Sequence, residues 1–141
     1  MSRYYKFSDY LKKKFNSPVY KITLDAGFNC PNRDGVKGTG GCIFCNNSAF
    51  SPANALRGQS ISQQIQEGIK KIQARKKVDR FIAYFQPYSN TYAAPEKLKS
   101  IYQQALDFPD IIGIAVGTRP DCLGDDILSV LEQMAGRTHF W

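Results

Sequence analysis

Three short apolar runs constrain what this chain can fold into. Val19-Tyr-Lys-Ile-Thr-Leu24, Phe81-Ile-Ala-Tyr-Phe85 and Ile111-Ile-Gly-Ile-Ala-Val116 are rich in β-branched and aromatic residues and read as strands. Helical spacing follows each of them. It is carried by Ile61, Ile65, Ile69 and Ile72, then by Leu98, Ile101, Tyr102 and Ala105, then by Ile127, Leu131 and Met134. Ser60 and Gln63 fit a capping box, and Pro95 suits a first helical turn. Asp125 or Asp126 can cap the third helix, with Gly136 as its stop. Thr138 to Trp141 reads as the start of a fourth strand. The order is β-α-β-α-β-α-β, and near-continuous apolar strands in that order imply a parallel sheet with right-handed crossovers. The expected class is α/β, as an open doubly wound sheet or part of a (βα) barrel. In either, the loops after the strands' C-terminal ends share one face, where sites form.

A chain of 141 residues leaves room for one domain, and 43% hydrophobic with 13% aromatic residues excludes a disordered chain. No run approaches the roughly 18 apolar residues of a membrane span. Met1 to Phe15 is basic and aromatic without a continuous apolar core, so no secretory signal is expected. A soluble cytoplasmic protein is the expectation. Nineteen Lys and Arg against twelve Asp and Glu give +7, which favours polyanionic partners, nucleic acid above all. The charge is partly local, in Lys12 to Lys14 and in Arg75 to Lys77. The second cluster ends a predicted helix, where cations suit the dipole.

Chemistry concentrates in the long Gly-, Asn- and Pro-rich loop from about Asp25 to Gly58. Cys30, Cys42 and Cys45, three of the four cysteines, lie there with C-x11-C-x2-C spacing. A Cys-x2-Cys pair can turn two thiolates toward one metal centre. Gly35, Gly38, Gly40 and Gly41 let the backbone bend around a bulky group and offer it N–H donors. Disulfides, a structural zinc, buried core cysteines and an iron–sulfur cluster are the alternatives. Zinc requires a fourth ligand, for which Cys122 and His139 are the candidates. A four-iron cluster on three thiolates keeps one iron open to an outside ligand.

The segments Lys21 to Gly35 and Gly40-Gly-Cys-Ile-Phe-Cys-Asn46 resemble the radical S-adenosylmethionine (SAM) superfamily. More narrowly they resemble the YhcC/YtqA-type bacterial proteins of the branch related to the catalytic subunit of elongator. Phe44, just before the last cysteine, matches the superfamily habit. The first gap departs from the common C-x3-C-x2-C spacing, and a longer gap is familiar in the elongator-like branch. The similarity continues through Tyr84-Phe-Gln-Pro-Tyr-Ser-Asn-Thr-Tyr92 and Gly117-Thr-Arg-Pro-Asp-Cys-Leu123.

The resemblance implies that Cys30, Cys42 and Cys45 hold a [4Fe–4S] cluster whose open iron binds SAM. One electron from the reduced cluster then releases a 5′-deoxyadenosyl radical, which abstracts hydrogen from an unactivated carbon. It implies an electron donor such as flavodoxin or ferredoxin as partner. By position, Phe44, Gln86, Asn90, Thr118, Arg119 and Asp121 are candidate SAM contacts, although the usual Gly-Gly-Glu-like motif is absent. The residues themselves allow plainer roles. Pro87 to Asn90 can be a polar turn, and Arg119 can pair with Asp121 instead of a carboxylate or phosphate. Cys122 reads as a packing residue and His139 as a core or surface histidine. The branch's substrate implies modification of a wobble uridine side chain in transfer RNA. A zinc or iron–sulfur module contacting nucleic acid, or a radical enzyme acting on a small molecule, are the alternatives. The family's partial (βα)6 barrel sets the expected organisation: a basic, aromatic lead-in over 1–18 and the N-terminal half of a barrel over 19–141. That predicts an exposed sheet edge, covered by a missing C-terminal half or by an oligomer.

Overall fold

The protein is described here by a computed structural model covering residues 3–46 and 58–141. The 47–57 part of the predicted long loop lies outside the described residues. The elements in chain order are α1 (Phe7–Phe15), β1 (Tyr20–Leu24), α2 (Ile61–Gln73), β2 (Phe81–Phe85), α3 (Pro95–Leu106), β3 (Ile111–Val116), α4 (Asp125–Ala135) and β4 (His139–Phe140). Pro120–Cys122 forms a 3-10 turn before α4. The four strands make one parallel sheet in the order β1-β2-β3-β4. The expected α/β class with a parallel sheet is therefore present, and among the described residues the strand order shows no reversal of the kind a doubly wound sheet has. Helices α2, α3 and α4 pack side by side, so they cover the same sheet face.

Strand periodicity sorts the two faces. Ile22, Leu24, Phe81, Ala83, Phe85, Ile111 and Ile114 meet Ile65, Leu98, Tyr102, Ala105, Val130 and Met134 in the main core. Each such side chain contributes about 1.5–3 kcal/mol when fully buried. Phe81 pairs with Ile111 and Ile82 with Gly113, so Ile112 is an extra residue that lets β3 keep its apolar side inward. The opposite face carries Lys21, Ile82, Tyr84 and Gly113. Gly113 permits close approach there, because a Cβ would stand 2.6 Å from the Trp141 ring.

Helix α1 lies within the basic lead-in, where no element was expected. Phe7, Leu11 and Phe15 share one face, but nine residues are too few for a stable isolated helix. Tertiary contacts hold it instead. Leu11 is buried, Phe7 meets Trp141 edge-on at 6.0 Å, and Phe15 meets His139 at 4.7 Å. Arg80 NH1 also donates to the Phe15 carbonyl at 3.0 Å.

The capping box of α2 is formed. Gln63 N donates to Ser60 Oγ at 3.2 Å, and Ser60 N donates to Gln63 Oε1 at 2.8 Å. Ser60→Ala is expected to cost about 0.5–2 kcal/mol, read as a lower urea midpoint at unchanged m-value. Pro95 opens α3 as expected. The cap of α4 differs from expectation. Asp125 is the first helical residue and Gly124 the N-cap, with no side-chain cap; Asp126 Oδ1 instead accepts from the adjacent Ile127 N–H at 2.9 Å. The carboxylates still lie in the first turn, where the helix dipole favours them. Among the described residues no helix is long and apolar enough to cross a membrane.

Candidate functional site

The loops after β1, β2 and β3 are joined by backbone hydrogen bonds. Gln86 N donates to Leu24 O, Gly117 N to Phe85 O and Asn90 N to Gly117 O, each at 3.0 Å. Together they frame a cleft of ≈ 540 Å³ at the C-terminal strand ends. Cys30, Cys42 and Cys45 all line it, as do Phe44, Gln86, Thr118, Arg119 and Asp121. A chain span of C-x11-C-x2-C is thus folded onto one rim, with residues from two later loops opposite.

Tight turns shape that rim. Arg33 N donates to Cys30 O at 2.8 Å, Lys37 N to Pro31 O at 2.8 Å and Cys45 N to Cys42 O at 2.9 Å. Gly41, at φ 89°, gives Arg33 room, since a Cβ there would stand 2.7 Å from its guanidinium. The expectation that the loop glycines offer their amides to a bound group fails for two of them. Gly35 N donates to Gly38 O at 3.1 Å and Gly41 N to Asn32 O at 2.9 Å, so the hairpin consumes them. Side chains face the sulfurs instead. Asn32 Nδ2 donates to Cys42 Sγ at 3.1 Å, and Arg119 NH1 to Cys30 Sγ at 3.6 Å.

The electrostatics follow from these contacts. Burial pushes the Cys30 thiol up, but the Asn32 backbone N–H, the adjacent Ser89 hydroxyl and the Arg119 guanidinium outweigh it, leaving a net downward shift. Ser89 Oγ is buried and makes no hydrogen bond of regular geometry, so its effect on that sulfur is one of proximity. Cys122 moves the other way, because burial dominates. Asp121 accepts both Nε and NH2 of Arg119 at 2.8 Å and Lys37 Nζ at 2.6 Å. These two cations hold its carboxyl well below the usual carboxylate range. A depressed folded-state value stabilises the fold above the unfolded value of about 4 and is lost as pH falls below it. Asp121→Asn is therefore expected to flatten the acid side of the stability profile below about pH 4, measured by urea unfolding. An unchanged acid limb would show the pair to be electrostatically idle.

The other candidates divide. Thr118 shares a hydrogen bond with Thr91, whose Oγ1 also contacts the Cys122 carbonyl. Phe44 is 84% exposed beside the third thiol. Asn90 is fully buried and does not line the cleft. Its Nδ2 donates to Pro87 O and Gly117 O at 2.9 Å, tying the two loops together. Cys122 is buried outside the cleft, in line with a packing role. His139 is exposed at the start of β4, against Phe15, and burial and Lys14 lower its pKa. The cleft also contains Asn32, Arg33 and Tyr84, which sequence reasoning did not single out, and Tyr88, which the loop after the second strand was expected to offer. Tyr88 has φ 67°, a conformation costly for a residue with a Cβ, and Arg33 lies 5.6 Å above its ring. Tyr88 lies within the Pro87 to Asn90 stretch that the sequence allows as a polar turn.

Over 139 residues, 99% of its length, the chain is 36% identical to the uncharacterized protein YtqA of Bacillus subtilis strain 168, of which it covers 43%. It is 42% identical over 125 residues to protein YhcC of Escherichia coli K12, covering 89% of this chain and 39% of that one. The uncharacterized protein MJ0486 of Methanocaldococcus jannaschii is 39% identical over 127 residues, 88% of this chain and 38% of its own. The chain therefore spans about two-fifths of the length of these relatives. No family model and no solved structure matches it.

Among the described residues, no three His, Cys, Asp or Glu side chains stand close enough to hold one metal ion. A four-iron cluster makes a different demand, because it binds each thiolate through a separate iron. Three half-buried thiols line the cleft, and Cys42 and Cys30 receive N–H donors from Asn32 and Arg119.

Proposed function

We propose that the chain is the cluster-binding portion of a radical SAM enzyme that modifies a wobble uridine side chain in tRNA. One observation carries the reading: Cys30, Cys42 and Cys45 line one cleft with Gln86, Thr118 and Arg119 at the C-terminal ends of parallel strands. Cys30, Cys42 and Cys45 would hold a [4Fe–4S] cluster, which when bound supplies the electron that starts radical chemistry on SAM. Phe44 and Gln86 offer contacts for a bound cofactor, and Tyr84 forms the sheet-side wall of the cleft. The sheet is proposed to be the front part of a (βα)6 barrel, since its sequential order and one-sided helices are what such a barrel repeats. The +7 charge and the elongator-like resemblance support tRNA as substrate, with flavodoxin or ferredoxin as electron donor. The zinc alternative is less well supported, because its candidate fourth ligands, Cys122 and His139, do not line the cleft.

Anaerobic reconstitution with iron and sulfide tests the cofactor. Brown protein with about four irons per chain is expected, while a colourless zinc protein would overturn the reading. SAM-dependent 5′-deoxyadenosine, measured on the full-length protein, tests the activity. Nucleoside profiles of tRNA from cells with and without the gene test the substrate. An unchanged profile would favour a small-molecule substrate.

A further inference from the structure

The loop after β3 reaches across the cleft to the cysteine loop through a closed set of contacts. Arg119 gives Nε and NH2 to the two Asp121 oxygens, which fixes the plane of its guanidinium. Its remaining nitrogen, NH1, faces Cys30 Sγ at 3.6 Å, 89 residues away in sequence. Asp121 also holds Lys37, which lies between Cys30 and Cys42, at 2.6 Å. The cysteine loop is thus gripped at two points by one Arg–Asp unit. An exposed ion pair alone is worth little. Here the bidentate fork fixes where NH1 points, and a thiol stands there. Asn32 plays the corresponding part within the loop, donating to Cys42 Sγ at 3.1 Å.

We infer that Arg119, held by Asp121, is a positioning residue that docks the cysteine loop and, together with Asn32, donates hydrogen bonds to the cluster's ligand sulfurs. The inference rests on Cys30 and Cys42 being cluster ligands. N–H donors to a ligand sulfur favour the more negative, reduced state of a cluster. In that step the cluster gains one electron from an external reductant, dithionite in the test, and no proton is taken up. Removing a donor therefore makes reduction harder.

Two measurements test this on the protein as it stands. Hydrogen–deuterium exchange of the metal-free protein should show peptides within 30–45 exchanging about fivefold faster in Arg119→Ala, with α3 peptides unchanged. Lys37→Ala should show a smaller increase in the same peptides. After reconstitution, dithionite titration followed by electron paramagnetic resonance should place the Arg119→Ala and Asn32→Ala midpoints below that of the unmodified protein, with Arg119→Lys partly restored. Unchanged exchange within 30–45 would overturn the docking role. Faster exchange with an unchanged midpoint would overturn the sulfur-directed role. If the unmodified protein takes up no cluster, the cluster reading itself fails, and the exchange result alone decides whether Arg119 docks the loop.

Discussion

Replacing Cys42 with alanine is expected to leave a folded protein that retains almost no iron after anaerobic reconstitution. The thiol is half-buried on the cleft rim and contributes nothing to the main core. The turn it occupies is closed by a backbone bond, Cys45 N to Cys42 O at 2.9 Å, which alanine preserves. Stability should therefore move by no more than about 0.5 kcal/mol, as for other substitutions away from the core. Cluster retention should fall much further, because two thiolates cannot hold what three hold. Outer partners of a metal typically account for about 10–100-fold in affinity, so loss of a direct ligand is expected to exceed about 100-fold. Asn32→Ala, which removes only the donor to the same sulfur, should stay within that 10–100-fold range. Cys122→Ala is the matched control: buried outside the cleft, it should keep full iron content and pay in stability alone. Iron assays on the purified variants, with circular dichroism for the fold, separate these outcomes. Full iron content in Cys42→Ala would remove this residue from the ligand set.

The ranking of these effects reflects which parts of the molecule are written locally and which are not. Ile61, Ile65, Ile69 and Ile72 announce α2 because a helix repeats every 3.6 residues, and Ser60 with Gln63 marks its start. The cysteines were equally legible, since their spacing is itself local. What escaped depends on the tertiary fold. Helix α1 is too short to declare itself and exists because Leu11 and Phe15 find neighbours. Asn90 resembles a ligand contact in sequence, yet its Nδ2 donates to the Pro87 and Gly117 carbonyls, which only the approach of two loops brings together. Arg119 pairs with Asp121, as residues two apart can. Its contact with Cys30 spans 89 residues, and no local pattern encodes it.

Phe85→Ala is expected to be the most destabilising single change near the cleft, at about 3–5 kcal/mol. The ring is fully buried in the core and meets Tyr102 edge-on, with centroids 5.1 Å apart. Truncation removes the transfer free energy of the ring and leaves a cavity that the surrounding β2–α3 packing can only partly fill. Against a total of about 5–15 kcal/mol for a domain, that is a third or more of the stability at the centre of each range. Phe85→Leu keeps most of the volume and should cost less than about 1.5 kcal/mol beyond the aromatic pair itself. The consequence extends to the site. Phe85 is the last residue of β2, its carbonyl accepts from Gly117 N, and Tyr102 Oη donates to Asn90 O at 2.6 Å. One ring thus supports both loops that face the cysteines, so its loss should speed amide exchange of the 86–94 and 117–124 loops as well as lowering the urea midpoint. A loss below about 1 kcal/mol would contradict the packing of α3 on β2. A full loss of stability without faster loop exchange would show instead that the cleft keeps its shape independently of the core beneath it.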